Sequence, residues 1–373
     1  MDILRGFALL GMFIVHFHVR SSEPGGFEDV IRTLIWRLVE NKSHGTFALL
    51  FGAGFAIQLR RAEQRGTPFT ALYLRRVAVL ALFGFAAHAF FGYNVLLGYA
   101  VWAVPLVLIR NWSSPRLVVL ASLTTVSLAL YLVAHDAYVT ATLGNDGVDA
   151  AIQAQMAAGA AVRSDLQAAT GQGSYLVLLS ARLRHMRWFY SQPFFFVPGV
   201  TLGLFVTGLL FVRYRIFEDV AAHSRLILSL AAFGLASWVV DNWLFASFGI
   251  FRDQWLTFAY VGGALLLLQR APVVVSSLRG IANAGRMALT NYLLQIAALD
   301  VVFSGYGLHL GSVRPSVGLA AALGSFAAEV AFSTVWLTYF RFGPAEWLWR
   351  SLTYARMQPM RPAKRAAVSA TVM

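Results

Sequence analysis

The sequence contains no cysteine and little charge. The absence of Cys from all 373 residues excludes disulfide bonds, iron–sulfur clusters, thiolate zinc sites and cysteine nucleophiles. Charged residues make up 13% of the chain and hydrophobic residues 58%, whereas an average soluble domain has about 25% charged residues. This leaves too few polar groups to cover a water-soluble globule, and it also excludes intrinsic disorder. The composition therefore predicts a polytopic membrane protein.

Acidic residues are scarce relative to basic ones. The chain has 17 Asp and Glu against 30 Lys and Arg, which gives a formal net charge of +13. No block of five or six like charges occurs, and the basic residues stand at the ends of apolar runs. This distribution is typical of membrane orientation signals, so we expect no nucleic-acid partner. No phosphate-binding Gly loop and no HExxH motif occurs, and we expect no metal.

Apolar runs recur along the chain at lengths that approach the roughly 20 residues needed to cross a bilayer. The sequence predicts an all-α, polytopic integral membrane protein with about ten transmembrane helices in a single domain, 1–373. A five-span half (1–134) precedes an extracytoplasmic connection (135–192), and a second five-span half (193–373) ends in a cytoplasmic tail. The ten expected spans are residues 3–19, 46–59, 77–91, 95–109, 117–134, 194–212, 226–245, 254–268, 288–303 and 317–340.

The connections between these runs set the expected sidedness. With the N-terminus inside, most Lys and Arg residues fall in inner segments, so the positive-inside rule predicts that both termini are cytoplasmic. Two outer segments have apolar residues at helical spacing opposite charged ones: residues 28–40 and residues 175–190. We expect both to be amphipathic helices in the membrane interface on the outer face.

The first span carries the sharpest candidate site. Arg5 and His16 are eleven residues apart, which is nearly three full helical turns, so both point to one face with about 16 Å of rise between them. Gly6 and Gly11 are small enough to let a neighbouring helix or a ligand approach. A neutral, buried imidazole at His16 is the form that a general base needs. His18 lies about 200° around the helix from His16, so the two cannot chelate one metal ion.

Two further histidines are candidate catalytic residues with alternatives left open. His44 precedes the second span and is either a catalytic base or a polar residue that closes the turn of an interfacial helix. His88 lies inside the third span and is either a partner of His16 or a core histidine that bonds to another helix.

Polar residues also stand inside the C-terminal spans. Asp300 either orients an imidazole or pairs with an interfacial arginine such as Arg252 or Arg314. Glu329 is protonated, paired to a neighbouring helix, or part of an ion path. Asn291 and Gln295 are four residues apart on one face, a spacing typical of contacts between helices.

Five segments of this sequence resemble a known family, and RRVAVLALFGFAAHAFFGYNVLLGYA (75–100), which contains Asn94, is one of them. RGFALLGMFIVH (5–16) and KSHGTFALLFGAGFAIQLRR (42–61) resemble the N-terminal half of the YeiB-like family, which carries domain of unknown function 418. GRMALTNYLLQ (285–295) and GPAEWLWRSLTY (343–354) resemble its two C-terminal signatures. Two positions depart from the family's usual pattern: Asn94 stands where members often have Asp, and His16 stands where many have Asn.

That resemblance implies a bacterial inner-membrane protein related to transmembrane acyltransferases. The sugar O-acyltransferases of this group begin with Arg, ten residues and His, a spacing that Arg5 and His16 reproduce. The implied reaction moves an acyl group from cytoplasmic acyl-CoA to a hydroxyl or amine at the outer face, and the expected group is acetyl, from acetyl-CoA. His16 would deprotonate the acceptor, and Arg5 would hold the donor. Arg286 and Arg350 are candidates for binding the coenzyme A phosphates.

The expected partners are membrane lipids and a small-molecule or glycan acceptor, with a homodimer left open. A competing interpretation is a carrier or flippase for a small solute or a lipid-linked molecule, with Glu329 and Asp300 in its path. No paired, Gly- or Pro-broken spans of the kind found in inverted-repeat transporters stand out. A third interpretation is a non-catalytic membrane scaffold.

Overall fold

Helices form almost all of the part of the chain that the computed structural model describes, residues 1–21, 25–92, 94–197, 199–243 and 252–362. Pro193–Phe196 forms a short 3-10 turn, and one isolated backbone bridge joins Ser21 to Val313. The all-α prediction is confirmed. The helices are α1 (Asp2–His18), α2 (Phe27–Leu38), α3 (Lys42–Gln64), α4 (Phe69–Phe91), α5 (Leu96–Ala103), α6 (Pro105–Ile109), α7 (Ser114–Gly171), α8 (Tyr175–Ser191), α9 (Val200–Arg213), α10 (Ser224–Trp243), α11 (Arg252–Arg270), α12 (Pro272–Ser277), α13 (Arg279–Arg286), α14 (Ala288–Phe303), α15 (Pro315–Tyr339) and α16 (Pro344–Tyr354).

The expected spans fall on these helices. By length and composition, α4 and α15 are long and apolar enough to cross a membrane. Five shorter apolar stretches also coincide with expected spans, and that all ten runs cross a membrane stays a prediction. The end of the seventh expected span (244–245) and the tail from 363 onward lie outside the described residues. The shorter apolar stretches are Leu96–Ile109, Ser114–Thr124, Val200–Arg213, Ser224–Val240 and Ala288–Phe303.

Helix α1 packs closely against α13 because both helices present glycine at the crossing. A Cβ atom on Gly6 would overlap the carbonyl oxygen of Ile281, and one on Gly285 would overlap that of Asp2. A Cβ on Gly11 would overlap the side chain of Ser43 on α3. The prediction that Gly6 and Gly11 allow close helix approach is confirmed.

The connection expected at 135–192 is helical. Helix α7 continues past residue 134 and breaks at Gly144, whose φ of 69° and ψ of 174° are accessible mainly to glycine. The second amphipathic segment forms α8, which buries Leu178, Ala181 and Arg182 and leaves Leu176 75% exposed. Helix α8 packs on the end of α4 and on α7, so it covers one end of the bundle.

Candidate functional site

His16 lies near the end of α1 and faces α14. The centroid of its ring is 5.8 Å from that of Tyr292. Its Nδ1 atom is buried and has no hydrogen-bond partner among the described residues. Buried polar atoms in proteins are nearly always bonded to protein, water or ligand. A bound molecule or a water could therefore form a hydrogen bond with His16 Nδ1.

Arg5 lies at the opposite end of α1, about 16 Å away along the helix axis. Its Nη1 donates to Oδ1 of Asp2 at 2.7 Å, and its side chain is 31% exposed. Arg5 is thus ion-paired within its own turn, while part of the guanidinium stays accessible.

His18 contacts a different side of the molecule from His16. Its Nε2 lies 3.8 Å from Oε2 of Glu40, whereas the ring of His16 packs against Tyr292. The two imidazoles of the HFH sequence therefore face different neighbours, as the helical spacing predicts.

His44 lies in the first turn of α3, beside Tyr99 of α5. The Tyr99 hydroxyl donates to the carbonyl oxygen of His44 at 2.8 Å and lies 3.3 Å from its Nδ1. A second tyrosine links this region to His16: the N–H of Val95, just before α5, donates to the Tyr292 hydroxyl at 3.4 Å. His44 thus lies beside a tyrosine of α5, and His16 lies beside a tyrosine that contacts the residue just before α5.

His88 is 1% exposed and packs against α8. Its ring centroid is 5.9 Å from that of His185 and 5.7 Å from that of Tyr190. These contacts favour the interpretation of His88 as a core histidine against another helix over partnership with His16. Burial, followed by the charge of Arg163, lowers the pKa of His185.

A buried ion pair joins α8 to α14. Arg182 donates from Nη2 to Oδ1 of Asp300 and from Nη1 to the carbonyl oxygen of Phe90. Asp300 also accepts from Ser304 Oγ at 2.7 Å and from the Tyr306 hydroxyl at 2.5 Å. Burial and this bond to Asp300 raise the pKa of Tyr306 to about 12.

The expected partners of Asp300, Arg252 or Arg314, are therefore corrected to Arg182. Sequence reasoning missed Arg182 because it assigned the basic residues of 175–190 to the membrane interface. An arginine inside an amphipathic helix shows no local sign that its side chain turns inward to a carboxylate 118 residues away.

A cavity of about 190 Å³ opens beside this ion pair. It is lined by the C-terminal ends of α4, α7 and α14, by the middle of α8, and by Arg20, which follows α1. Its charged and titratable side chains are Arg20, His88, Arg182, His185 and Asp300. It lies at the His16 end of α1, where Arg20 Nη1 donates to the carbonyl oxygen of His16 at 3.0 Å.

Arginines gather at the other end of α1. Arg76 Cζ lies 3.8 Å from the ring centroid of Trp349, whose Nε1 donates to the Arg76 carbonyl oxygen at 2.9 Å. The positive charges of Arg5 and Arg350 both act on Arg76. Arg350 Cζ lies 4.4 Å from the ring centroid of Phe342, and burial lowers its pKa.

Like charges that act on one another repel, so this basic cluster (Arg5, Arg76 and Arg350) is suited to an anion. Sequence reasoning named Arg5 and Arg350 but not Arg76, since nothing local distinguishes Arg76 from an orientation signal. Arg286, the third sequence candidate, is exposed at the end of α13, and its Nη1 lies 3.5 Å from Oδ1 of Asn283.

The two C-terminal motifs bind each other. Glu346 of α16 accepts from the N–H groups of Leu289 and Thr290 at 2.7 and 3.1 Å, and from Thr290 Oγ1 at 2.5 Å. Glu346 therefore caps the N-terminus of α14, where a carboxylate is favoured by the free N–H groups. Burial raises the pKa of Glu346, and these hydrogen bonds oppose that effect.

Helices α14 and α15 are joined by the polar residues that the sequence singled out. Gln295 Nε2 donates to Oε2 of Glu329 at 2.9 Å, and Asn291 Nδ2 donates to Oγ of Ser333 at 2.9 Å. The interpretation of Asn291 and Gln295 as contacts between helices is confirmed. Of the three alternatives for Glu329, the structure supports pairing to a neighbouring helix.

Comparison with known protein families divides the chain into two matched parts. Residues 1–144 match the family model described as heparan-alpha-glucosaminide N-acetyltransferase, catalytic. Residues 211–356 match the model described as protein of unknown function (DUF418). The first match contains Arg5, His16, His44 and His88, and the second contains both C-terminal motifs.

Full-length relatives occur among curated bacterial proteins. The uncharacterized protein YxaH of Bacillus subtilis is 27% identical over 99% of this chain and 96% of its own length. The uncharacterized 39.9 kDa protein in the amylase 3' region of Bacillus acidopullulyticus is 28% identical over 98% and 96%. The uncharacterized protein YeiB of Escherichia coli is 27% identical over 96% and 97%. No solved structure matches. The DUF418 match and the full-length similarity to YeiB and YxaH support the resemblance of this chain to the YeiB-like family.

Proposed function

We propose that the chain is a membrane-bound acyltransferase that uses cytoplasmic acyl-CoA, with acetyl-CoA as the simplest donor. The acceptor is a hydroxyl or amine on a small molecule or glycan at the extracytoplasmic face. The observation that carries the proposal is the buried His16 Nδ1, which has no hydrogen-bond partner in the described part of the chain, on a helix whose other end holds Arg5. Both residues lie in the segment that matches the N-acetyltransferase catalytic model.

His16 acts as the general base in this reaction. Its imidazole accepts the proton from the acceptor hydroxyl or amine as that oxygen or nitrogen bonds to the acyl carbonyl carbon. The carbon–sulfur bond of the thioester then breaks, and the imidazolium returns the proton to the leaving thiolate. The products are the acylated acceptor and free coenzyme A, and His16 ends in its starting form.

The basic cluster holds the donor's phosphates. Arg5 and Arg350 present planar guanidinium groups, which bind phosphate oxygens through paired hydrogen bonds. The guanidinium groups of Arg76 and Arg350 are held in place because they stack on Trp349 and Phe342. Exposed Arg286 is a further candidate for the same phosphates. About 16 Å of helix rise separates the cluster from His16, and the donor's long arm must span that distance.

A topology test addresses the bacterial inner-membrane placement with both termini in the cytoplasm. Three reporter fusions should report cytoplasm. They stand at Arg65 (between α3 and α4), at Ala221 (between α9 and α10) and at the C-terminus. A fusion at Asp146, just after the break at Gly144, should report the extracytoplasmic side. A cytoplasmic signal at Asp146 would contradict the proposed arrangement, in which the donor is cytoplasmic and the acceptor is extracytoplasmic.

An activity test separates the enzyme from the carrier. Detergent-purified protein should bind acetyl-CoA and either hydrolyse it slowly or acetylate an added hydroxyl or amine acceptor, because this chemistry does not need two compartments. If the protein instead neither binds nor turns over acetyl-CoA and yet accumulates a solute in proteoliposomes, that result would refute the acyltransferase and support the carrier.

A further inference from the structure

The cavity beside the Arg182–Asp300 pair has walls fixed by bonds between helices. The N–H of Gly305 donates to the carbonyl oxygen of Thr170 at 2.7 Å, which ties the end of α14 to the end of α7. The Tyr175 hydroxyl donates to the carbonyl oxygen of Phe90 at 3.3 Å, and Arg182 donates to the same oxygen. Helix α8 is thereby tied to α4. The polar groups that line the cavity are therefore held in place before any ligand enters.

These polar groups carry an excess of positive charge. Arg20 and Arg182 supply two guanidinium groups, and Asp300 supplies one carboxylate. Asp300 already accepts hydrogen bonds from Arg182, Ser304 and Tyr306. Its oxygens are therefore taken up by that network, while its charge also acts on Arg20.

Arg20 is the cation left for a ligand. Among the described residues, no carboxylate lies within ion-pair distance of it. Its Nη1 donates to the carbonyl oxygen of His16, and its Cζ lies 5.5 Å from the ring centroid of Phe303. A neutral carbonyl oxygen and an aromatic ring do not neutralise a guanidinium, and Asp300 is one carboxylate facing both Arg182 and Arg20. Among the described residues that line the cavity, two guanidinium groups therefore face one carboxylate, and the net charge is positive.

Arg20 also connects the cavity to the base. Four residues of helix separate it from His16, a rise of about 6 Å, and its side chain bonds back to the His16 carbonyl oxygen. An anion bound at Arg20 would therefore lie about one helical turn from the His16 backbone.

We propose that the cavity between Arg20 and Arg182 binds an anionic group, a carboxylate or phosphate, of the acyl acceptor. Arg20 binds the anion, Arg182 supplies a second cation, and the hydroxyl or amine of the same molecule extends toward His16. The inference rests on the acyltransferase function and specifies its acceptor as an acid, whether soluble or carried on a lipid. A cavity of about 190 Å³ has room for a headgroup and not for a whole glycan.

The binding test uses the full chain in neutral detergent without any acyl donor. Thermal unfolding is followed against inorganic phosphate and against glucuronate, with glucose and sodium chloride at matched ionic strength as references. A ligand that binds the folded state raises Tm in a saturable way. Phosphate or glucuronate should do so in the wild type, while glucose and sodium chloride should not.

Three variants test whether the rise in Tm comes from anion binding in the cavity. Arg20→Gln should weaken the apparent affinity by tenfold or more. Arg184→Gln is the matched control, because Arg184 lies on α8 outside the cavity and pairs with exposed Asp165 at 2.8 Å. If Arg20→Gln does not fold, Thr170→Leu fills the cavity without changing its charge and should abolish the same response. An unchanged response in Arg20→Gln or Thr170→Leu, or an equal loss in Arg184→Gln, would overturn the proposal.

A lipid arm distinguishes the two sources of the anion. The same measurement in micelles with phosphatidic acid, against micelles with phosphatidylcholine alone, should show Arg20-dependent stabilisation if the acid is lipid-borne. Stabilisation by free phosphate or glucuronate, with none from phosphatidic acid, supports a soluble acid. If no anion stabilises the wild type in either arm, the proposal is wrong.

Acetyl transfer measured in parallel separates this inference from the proposed function. Acetylation that is equally fast on glucose and glucuronate, and unaffected in Arg20→Gln, would refute the anionic acceptor while the acyltransferase stands. Arg20-dependent anion binding without any acetyl transfer would refute the acyltransferase and leave the cavity as an anion site.

Discussion

Arg182 of α8 and Asp300 of α14 form an ion pair whose side chains are 5% and 3% exposed. The pair joins a helix of the central connection to a C-terminal helix, across 118 residues of sequence. Because both charges are out of water, each depends on the other for compensation. This relationship fixes one wall of the cavity that Arg20 and His88 also line.

Breaking this pair from one side should destabilise the protein more than removing both charges. Asp300→Asn or Arg182→Gln alone leaves a buried charge uncompensated, and such changes typically lower the free energy of unfolding by about 3–5 kcal/mol. The double variant should recover part of that loss, as measured by denaturant or thermal unfolding of the purified protein. Strictly additive effects of the two single changes would show that the residues are not coupled.

Replacing His16 by Ala should reduce acetyl transfer by about 10²–10⁴, the usual contribution of a general base. Expression and Tm should stay close to the wild type, because the Nδ1 atom makes no hydrogen bond among the described residues. The matched control is His18→Ala, whose ring lies beside Glu40 instead of Tyr292. Equal damage from His18→Ala would refute the assignment of the base.

If His16→Ala keeps full activity, His44 or His88 becomes the next candidate. His44→Ala tests the region beside Tyr99, and His88→Ala tests the region beside α8. Whichever of the two variants loses acetyl transfer while its Tm is unchanged would identify the general base.

Arg350→Ala and Arg5→Ala should each raise the KM for acetyl-CoA by about tenfold or more and change kcat less. The physical reason is the loss of a guanidinium that binds phosphate, and Lys should rescue only in part because it lacks the planar fork. Arg60→Gln is the control, since Arg60 is committed to Glu218 at 2.6 Å. A comparable rise in KM for Arg60→Gln would mean that general surface charge, not the cluster, binds the donor.

The contact between Glu28 and Ser316 should weaken in acid. Glu28 accepts from the N–H of Ser316 at 2.8 Å and from its Oγ at 2.5 Å, and these hydrogen bonds lower the pKa of Glu28. A lowered folded-state pKa means that the contact stabilises the fold above the ordinary Glu pKa, and that this stabilisation is lost as the pH falls through the folded value.

Hydrogen exchange of the peptide that contains Ser316 measures this effect. Protection, corrected for the intrinsic exchange rate, should fall as the pH is lowered below about 4.3, the ordinary Glu value. Glu28→Gln removes the titrating group and should remove that pH dependence. The same pH dependence in Glu28→Gln would assign it to another group.

The site was predictable where its geometry is helical and local. The spacing of Arg5 and His16 fixes their common face because an α-helix turns by 100° per residue, whatever surrounds it. Glu346 and Thr290 each lie in a motif that the sequence singled out, yet their contact across 56 residues was not predictable. Arg76 and Arg182 look like ordinary orientation signals in the sequence, and only their neighbours distinguish them.

The sequence by itself determined that the chain is helical and rich in apolar segments, which regions are amphipathic, and which residues of α1 share a face. These properties depend on hydrogen bonds and side-chain periodicity within single segments. The tertiary structure alone decided that Asp300 pairs with Arg182, that His88 faces α8, and that Arg20 lines a cavity. Each of those outcomes depends on which helices pack together, because charge compensation and burial are set by neighbours that are distant in the chain.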